Sequence, residues 1–252
     1  MKKNKKNIDI ILPNYNSEDF LEKTIKSIIQ QSFVNWNLII VDDSSNSKTK
    51  KILKKYLNHK KIKIFFLKKN KGTGYCRNLA IKKSKNSFIA FIDSDDLWMK
   101  NKLNYQISFM KKNNLSFTYT NYKTFGLKNK KINVPKKFTY REFIKNTSIA
   151  TSTMMVKRSV IKNIKFTDTD ICEDYFFKCK LLKKVKTAHR LNKSLTRYRI
   201  RKNSLQSNNL KNFYWIWKIN KKYNKMNFFQ NFISLFSISL NSLLKYNGKN
   251  LF

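Results

Sequence analysis

The chain reads as an α/β protein with a mostly parallel central sheet flanked by helices. Three observations predict this. Strand-like and helix-like runs alternate across the first hundred residues at the spacing of βαβ units. One run, 88–92, is five apolar residues long and stops abruptly at three carboxylates, Asp93, Asp95 and Asp96, as a strand buried on both faces would. Polar residues also gather just past the ends of the other strand-like runs. At 252 residues and 41% hydrophobic content, the chain can build one large core, with room for a small appendage.

Each element has a local reason. Residues 8–12 make the first strand, closed by Pro13-Asn14-Tyr15-Asn16. Ser17 is placed to N-cap a helix over 19–31, in which Phe20, Leu21, Ile25, Ile28 and Ile29 keep helical spacing. Residues 36–41 form the second strand and end in Asp42-Asp43. A helix over 47–57 and a third strand over 62–67 follow. Residues 72–83 open with two glycines and continue as a helix leading into the fourth strand. Beyond residue 100 the pattern weakens. It predicts a helix over 102–113, a strand over 115–122, a loop over 123–135 and a strand over 151–156. Cys172-Glu173-Asp174 opens a helix over 175–184, and 196–200 is a last strand. Right-handed crossovers put the carboxyl ends of the first four strands on one edge of the sheet. Tyr15, Asn16, Asp42, Asp43 and residues 93–96 then converge where open α/β sheets bind ligands.

Three packed carboxylates resist ionising side by side, and a hard divalent cation such as Mg²⁺ or Mn²⁺ relieves that repulsion. The other reading is a solvated acidic turn that caps the next helix. With only 14 acidic residues against 55 basic ones, clustering three of them favours the cation.

The net charge of +41 has two explanations as well: an anionic partner, or a lysine- and asparagine-rich composition of the kind AT-rich coding produces. Lysine blocks at 2–6 and 128–131 read as solvated surface. Three cysteines, Cys76, Cys172 and Cys179, argue against a disulfide framework or a zinc site and fit a reducing cytoplasm. The first apolar run is too short for a signal peptide, and no segment offers the roughly 20 unbroken apolar residues of a membrane span. His59 and His189 stand alone and read as non-ligands.

The sequence divides at about residue 207. Residues 1–207 carry the strand–helix alternation; residues 208–252 form a basic, aromatic helical tail. Phe213-Tyr214-Trp215-Ile216-Trp217 lies among lysines, and 228–244 is free of charge. Apolar residues at 229, 232, 233, 236, 240, 243 and 244 alternate with Gln230, Asn231, Ser234, Ser237 and Asn241 at helical period. Such a helix either lies in a membrane interface or packs on the protein's own sheet.

Taken together, these pieces resemble the family 2 glycosyltransferases, which have the nucleotide-sugar-binding GT-A fold. The resemblance runs from about residue 8 to about residue 207. Pro13-Asn14-Tyr15-Asn16 looks like the opening turn of that family, and Val41-Asp42-Asp43-Ser44-Ser45 like its second element. Arg77-Asn78 after Gly72 is similar to the family's Ala-Arg-Asn helix start, with Cys76 in the Ala position. Asp93-Ser94-Asp95-Asp96 looks like its Asp-x-Asp element, and Glu173-Asp174 like its catalytic pair. Many relatives carry a His where this chain has Arg201.

The resemblance implies an inverting, metal-dependent sugar transferase that works on cell-surface polysaccharide. It is expected to take a nucleoside-diphosphate-sugar, a UDP-sugar foremost, and a glycan or polyprenyl-diphosphate-linked acceptor. Asp174 is expected to be the base, with Glu173 beside it. Asp93, Asp95 and Asp96 would hold Mn²⁺ or Mg²⁺. The donor would meet Pro13, Tyr15, Asn16, Asp42, Asp43, Arg77, Asn78, Asp93 and Ser94. Asp43 would accept from the base, Asp93 would lie by the ribose, and Arg77 and Arg201 would face the diphosphate. A guanidinium cannot ligate a metal, so Arg201 replaces a ligand with a phosphate contact. The expected location is the cytoplasm, or the inner face of the cytoplasmic membrane with the tail on anionic lipid. A polyprenyl-phosphate sugar transferase of the same fold is the alternative. A nucleic-acid-binding protein is a more distant one, and carboxylates at the predicted cleft argue against a nucleic-acid partner.

Overall fold

A computed structural model describes residues 8–202 and 209–247. The first half is a parallel βαβ array: β1 (Ile8–Asn14), α1 (Leu21–Ile29), β2 (Trp36–Asp42), α2 (Ser47–Lys54), β3 (Ile62–Phe66), α3 (Thr73–Lys83) and β4 (Phe88–Phe91). Asn14 lies opposite Asp42, and Asp42 opposite Phe66, so β1, β2 and β3 end level with one another. β4 joins the other side of β1, also parallel. The polar ends of all four strands therefore share one edge, as expected.

The second half supplies β5 (Leu97–Trp98), α4 (Lys102–Lys112), β6 (Phe117–Gly126), β7 (Lys131–Ile132), β8 (Lys137–Thr139) and α5 (Tyr140–Phe143). It continues through a 3-10 turn (Thr151–Thr153), β9 (Met155–Lys157), α6 (Arg158–Ile161), α7 (Glu173–Val185) and β10 (Thr187–Ile200), and ends with α8 (Asn209–Lys222) and α9 (Phe228–Asn247). The sheet order is β3-β2-β1-β4-β9-β6-β10-β5, with β7 paired to β6 and β8 to β10. β9 runs antiparallel between β4 and β6, and this reversal makes the sheet mixed.

Strand alternation divides the core in two. On β1, Ile10 and Leu12 face α1 and α4 residues such as Ile25, Ile28, Leu103 and Ile107. Ile11, between them, joins Phe91, Cys76, Ala80 and Phe177 on the opposite face, under α3 and α7. All three cysteines are buried and free.

Four local expectations are corrected. Ser17 does not cap α1: its hydroxyl donates to Asn14 Oδ1, and its carbonyl accepts the amides of Phe20 and Leu21 at 3.0 and 2.9 Å. The loop expected over 123–135 contains the end of β6 and all of β7, because β10 and β7 offer β6 partners that no local signal announces. Residues 151–153 are a 3-10 turn rather than strand. The last strand begins at Thr187, since pairing with β6 and β8 outweighs its half-polar sequence.

The tail does pack on the domain, through isoleucines and a buried polar network. Ile216, Ile219 and Ile238 enter the main core. The anchor is Asn220, fully buried. It accepts from Tyr175 Oη at 2.8 Å and donates to Asn231 Oδ1 and Ser234 Oγ at 3.0 and 3.1 Å. Ser234 donates on to the Ile144 carbonyl at 2.6 Å. Removing Asn220 strands several buried polar groups, so Asn220→Ala should cost about 2 kcal/mol or more. Urea unfolding would measure the loss, and trypsin should then cut the tail faster.

Candidate active site

The site begins with the turns that follow the strands. Asp42 is fully buried: Oδ1 accepts from Asn14 Nδ2 at 2.7 Å and Oδ2 from the Ser45 amide at 3.2 Å. Asn16 adopts a positive φ of 43° and donates its amide to Ser45 Oγ at 3.0 Å, which leaves Tyr15 half exposed at the strand edge. Asp43 reaches across to the start of α3, where its oxygens accept the amides of Lys71 and Gly72 at 2.7 and 2.8 Å. Gly72 has φ +84°, a backbone shape costly for any other residue, and so turns the chain into α3.

One turn into α3 lies Arg77, with a 5% exposed side chain. One terminal nitrogen donates to Glu173 Oε1, and the other to Asp93 Oδ1 at 2.6 Å. This guanidinium thus joins α3, the end of β4 and the start of α7. The flanking carboxylates outweigh its burial and hold its proton more firmly than usual. Burial pushes the Glu173 carboxyl up, against the pull of Arg77. Asp174 behaves oppositely. Burial alone would raise it, but Lys178 and Arg77 outweigh that and hold it at about 2. Its Oδ2 accepts from Lys178 Nζ and Thr151 Oγ1, each at 2.6 Å.

The third group is the segment after β4. Ser152 Oγ accepts the Asp93 amide at 3.0 Å, and Thr24 Oγ1 donates to the Ser94 carbonyl at 2.9 Å. Asp95 Oδ2 pairs with Arg201 at 2.9 Å. Asp96 is fully buried and accepts the Arg199 amide at 2.8 Å. Burial raises Asp95, with Arg201 opposing; burial raises Asp96 much further, and the neighbouring Asp95 and Asp93 add to it. Arg199 and Arg201 both lie over the Phe20 ring, 4.4 and 5.1 Å from its centroid. Arg77, Asp93, Thr151, Glu173, Asp174 and Lys178 line a cavity of about 260 Å³, closed on another side by Phe213, Ile216 and Ile238 of the tail.

The structure ties several of the expected ligand residues into the fold. Pro13 and Asp42 are interior parts of the strand ends. Both terminal nitrogens of Arg77 are engaged by Glu173 and Asp93 at the cavity wall. Asn78 exchanges two hydrogen bonds with the Phe166 backbone, at 3.0 and 2.9 Å, and is spent on holding that loop. Asp96 is buried against β10 rather than turned to the cavity. Lys178 and Gly74 were missed, and Thr151 was singled out only as part of a loop near the donor sugar. The i, i+4 spacing of Asp174 and Lys178 on a predicted helix was a usable signal for the first. Nothing local marks the second.

The donor set fits a hard divalent cation. Its atoms are carboxylate oxygens; burial raises Asp95, and the nearby Asp93 charge adds to that. Among the described residues, no group of three or more His, Cys, Asp or Glu is arranged to hold a metal. Asp93 and Asp95 would therefore need substrate phosphate oxygens and water to complete the shell, which is the usual mode for Mg²⁺.

The fold and this edge define a nucleotide-sugar transferase class, and comparison with known proteins supports it. Residues 9–242 match the family described as Glycosyl transferase family 2. The chain is 33% identical to the Bacillus subtilis protein TuaG, named for teichuronic acid biosynthesis, over 88% of this chain and 90% of that one. It is 34% identical to Escherichia coli WfgD, named UDP-Glc:alpha-D-GlcNAc-diphosphoundecaprenol beta-1,3-glucosyltransferase, over 84% of each chain. The fold matches S. aureus TarS 1-349, solved in complex with UDP-GlcNAc, with TM-score 0.75 and 22% identity over 95% of this chain and 73% of that one. The chain belongs to the family 2 glycosyltransferases and has their GT-A fold.

A Cβ at Gly74 would sit 2.3 Å from the Thr167 carbonyl oxygen. Gly74→Ala should push loop 166–172, and with it Glu173 and Asp174, off α3. Transfer activity should fall about 100-fold or more, since a 1 Å misplacement costs that much. Turnover assays against a circular-dichroism control for folding would test this.

Proposed function

We propose that the chain is an inverting transferase that moves a sugar from a UDP-sugar to a hydroxyl of a polyprenyl-diphosphate-linked glycan in cell-surface polysaccharide synthesis. The observation that carries this reading is Asp174, kept ionised at the cavity wall by Lys178 and Thr151. The name of WfgD supports the acceptor class, that of TuaG the synthesis of a cell-surface polysaccharide, and WfgD and the TarS complex the donor.

The residues divide the work. Tyr15, exposed beside the β1 end, and the Asp43 turn hold the base and ribose side of the donor. Asp43 has accepted two amides already, so its further contact is limited to remaining lone pairs. Both partners of Asp174 use Oδ2. Oδ1 then takes the proton of the acceptor hydroxyl as that oxygen attacks the anomeric carbon. The bond from that carbon to the diphosphate oxygen breaks from the opposite face, which inverts the centre. Arg201 leaves Asp95 for the departing diphosphate, and its exposed position suits that exchange. A divalent cation at Asp93 and Asp95, when bound, supplies electrostatic stabilisation of the same leaving group.

Two outcomes test the reading. Asp174→Asn should lower kcat about 1,000-fold or more while UDP affinity, read by isothermal titration with and without Mn²⁺, stays within about twofold. A small effect on kcat would favour direct charging of a polyprenyl phosphate, which needs no hydroxyl base. Lys178 is the strongest influence holding Asp174 low, so its removal raises the pH at which the base loses its proton. The acid limb of the pH–rate profile of Lys178→Met should therefore move to higher pH; an unmoved limb would separate Lys178 from the base.

A further inference from the structure

α9 is amphipathic the wrong way round for a helix that completes a soluble domain. Its polar residues point inward: Asn231 and Ser234 are buried, and Asn241 donates to the Lys145 carbonyl at 3.1 Å. Ile238 also turns inward, into the main core, but most of the helix's apolar residues point outward. Phe229, Phe232, Ile233, Phe236, Leu240 and Leu243 are each about half to three-quarters exposed, and their i, i+3, i+4 spacing makes one continuous stripe. Hydrophobic burial ordinarily drives the reverse arrangement, and a stripe this long on a surface marks an interaction site.

The charge around the stripe selects its occupant. No charged side chain lies between residues 228 and 244, while Lys218, Lys221, Lys222 and Lys225 are exposed just before it on a chain of net charge +41. Trp217 packs on Phe228 at 5.5 Å between centroids, and Tyr214 is exposed one turn earlier with Lys218 donating to its hydroxyl at 3.1 Å. An uncharged apolar stripe, edged by Trp and Tyr and then by lysines, matches the layering of an anionic lipid surface from acyl chains to headgroups. Among the described residues, no helix is long and apolar enough to cross a membrane, so the fit is to a helix lying in the interface.

The reverse side of the same hairpin closes the cavity. Phe213, Ile216, Ile238 and Ser242 line the space that also holds Asp174. We propose that α8 and α9 form a membrane seat that holds the active-site cavity, on the other side of the hairpin, close to an anionic bilayer. The lipid tail of the acceptor stays in the membrane, and its terminal sugar reaches Asp174. This rests on the acceptor class proposed above, and the seat itself is tested without it.

The full chain is sedimented with vesicles of phosphatidylcholine alone and of phosphatidylcholine mixed with phosphatidylglycerol. It should pellet with the anionic vesicles, less so as salt rises. The triple variant Phe229→Ser, Phe232→Ser, Phe236→Ser removes only exposed rings, so its thermal unfolding should match the parent. Its vesicle binding should fall about tenfold or more. UDP binding, read by titration, should be unchanged, and so should transfer to a short-chain, water-soluble acceptor analogue, while transfer to a polyprenyl-diphosphate-linked acceptor in vesicles should fall. Equal pelleting of parent and variant would overturn the seat, as would a parent that stays in the supernatant. A parent that is dimeric by analytical ultracentrifugation beside a monomeric variant would assign the stripe to a second copy instead. Failure of UDP binding in the parent would strike the donor reading and leave the sedimentation result standing.

Discussion

A buried guanidinium must be neutralised where it lies, and Arg77 is neutralised by two carboxylates from distant parts of the chain. Asp93 comes from the end of β4 and Glu173 from the start of α7, 80 residues later. Breaking either pair would strand a charge in the interior. The three elements are therefore locked in one arrangement, and that arrangement puts Asp174 next to the Asp93 segment. Gly74, one helical turn before Arg77, lets the loop ahead of α7 approach α3 closely enough for the pairs to form. Asn78 fastens the same loop one residue further on.

The two carboxylates at the start of α7 carry opposite shifts although they are adjacent. Glu173 faces Arg77 and serves the scaffold, and burial dominates its proton affinity. Asp174 faces Lys178 and Thr151 and is kept anionic. Divergent environments on paired acids are a common sign of divided roles. Arginines on the final strand complete the division: Arg199 ties β10 to Asp95 and Asp96 through its backbone and side chain, while Arg201, two residues on, offers its charge at the surface.

The tail follows a different logic from the rest of the molecule. Elsewhere apolar side chains fill the two sheet faces. In α9 an asparagine–serine network shares the inward side with Ile238, and Phe229, Phe232 and Phe236 are left outside. Polar packing of this kind specifies one docking geometry, because each buried partner has to be satisfied. The inward side of the helix is held by contacts with the rest of the protein, and the outward side is left to face the proposed lipid surface.

By itself the sequence determined the βαβ half and the edge on which its polar residues meet. Apolar runs ending in Pro13, Asp42 and Asp93 are local signals, and right-handed crossovers do the rest. It also carried the family resemblance that singled out Glu173 and Asp174. Tertiary structure alone decided what each polar residue does there. Arg77, Asn78, Asp42 and Asp96 look like ligand contacts in a linear motif; the internal ties they make are illegible there because their partners lie 16 to 103 residues away. The long β10, the β6–β7 hairpin and the inward polar side of α9 were hidden for the same reason. Their stability comes from non-local pairing and burial, which leave only a weak trace in the local order of residues.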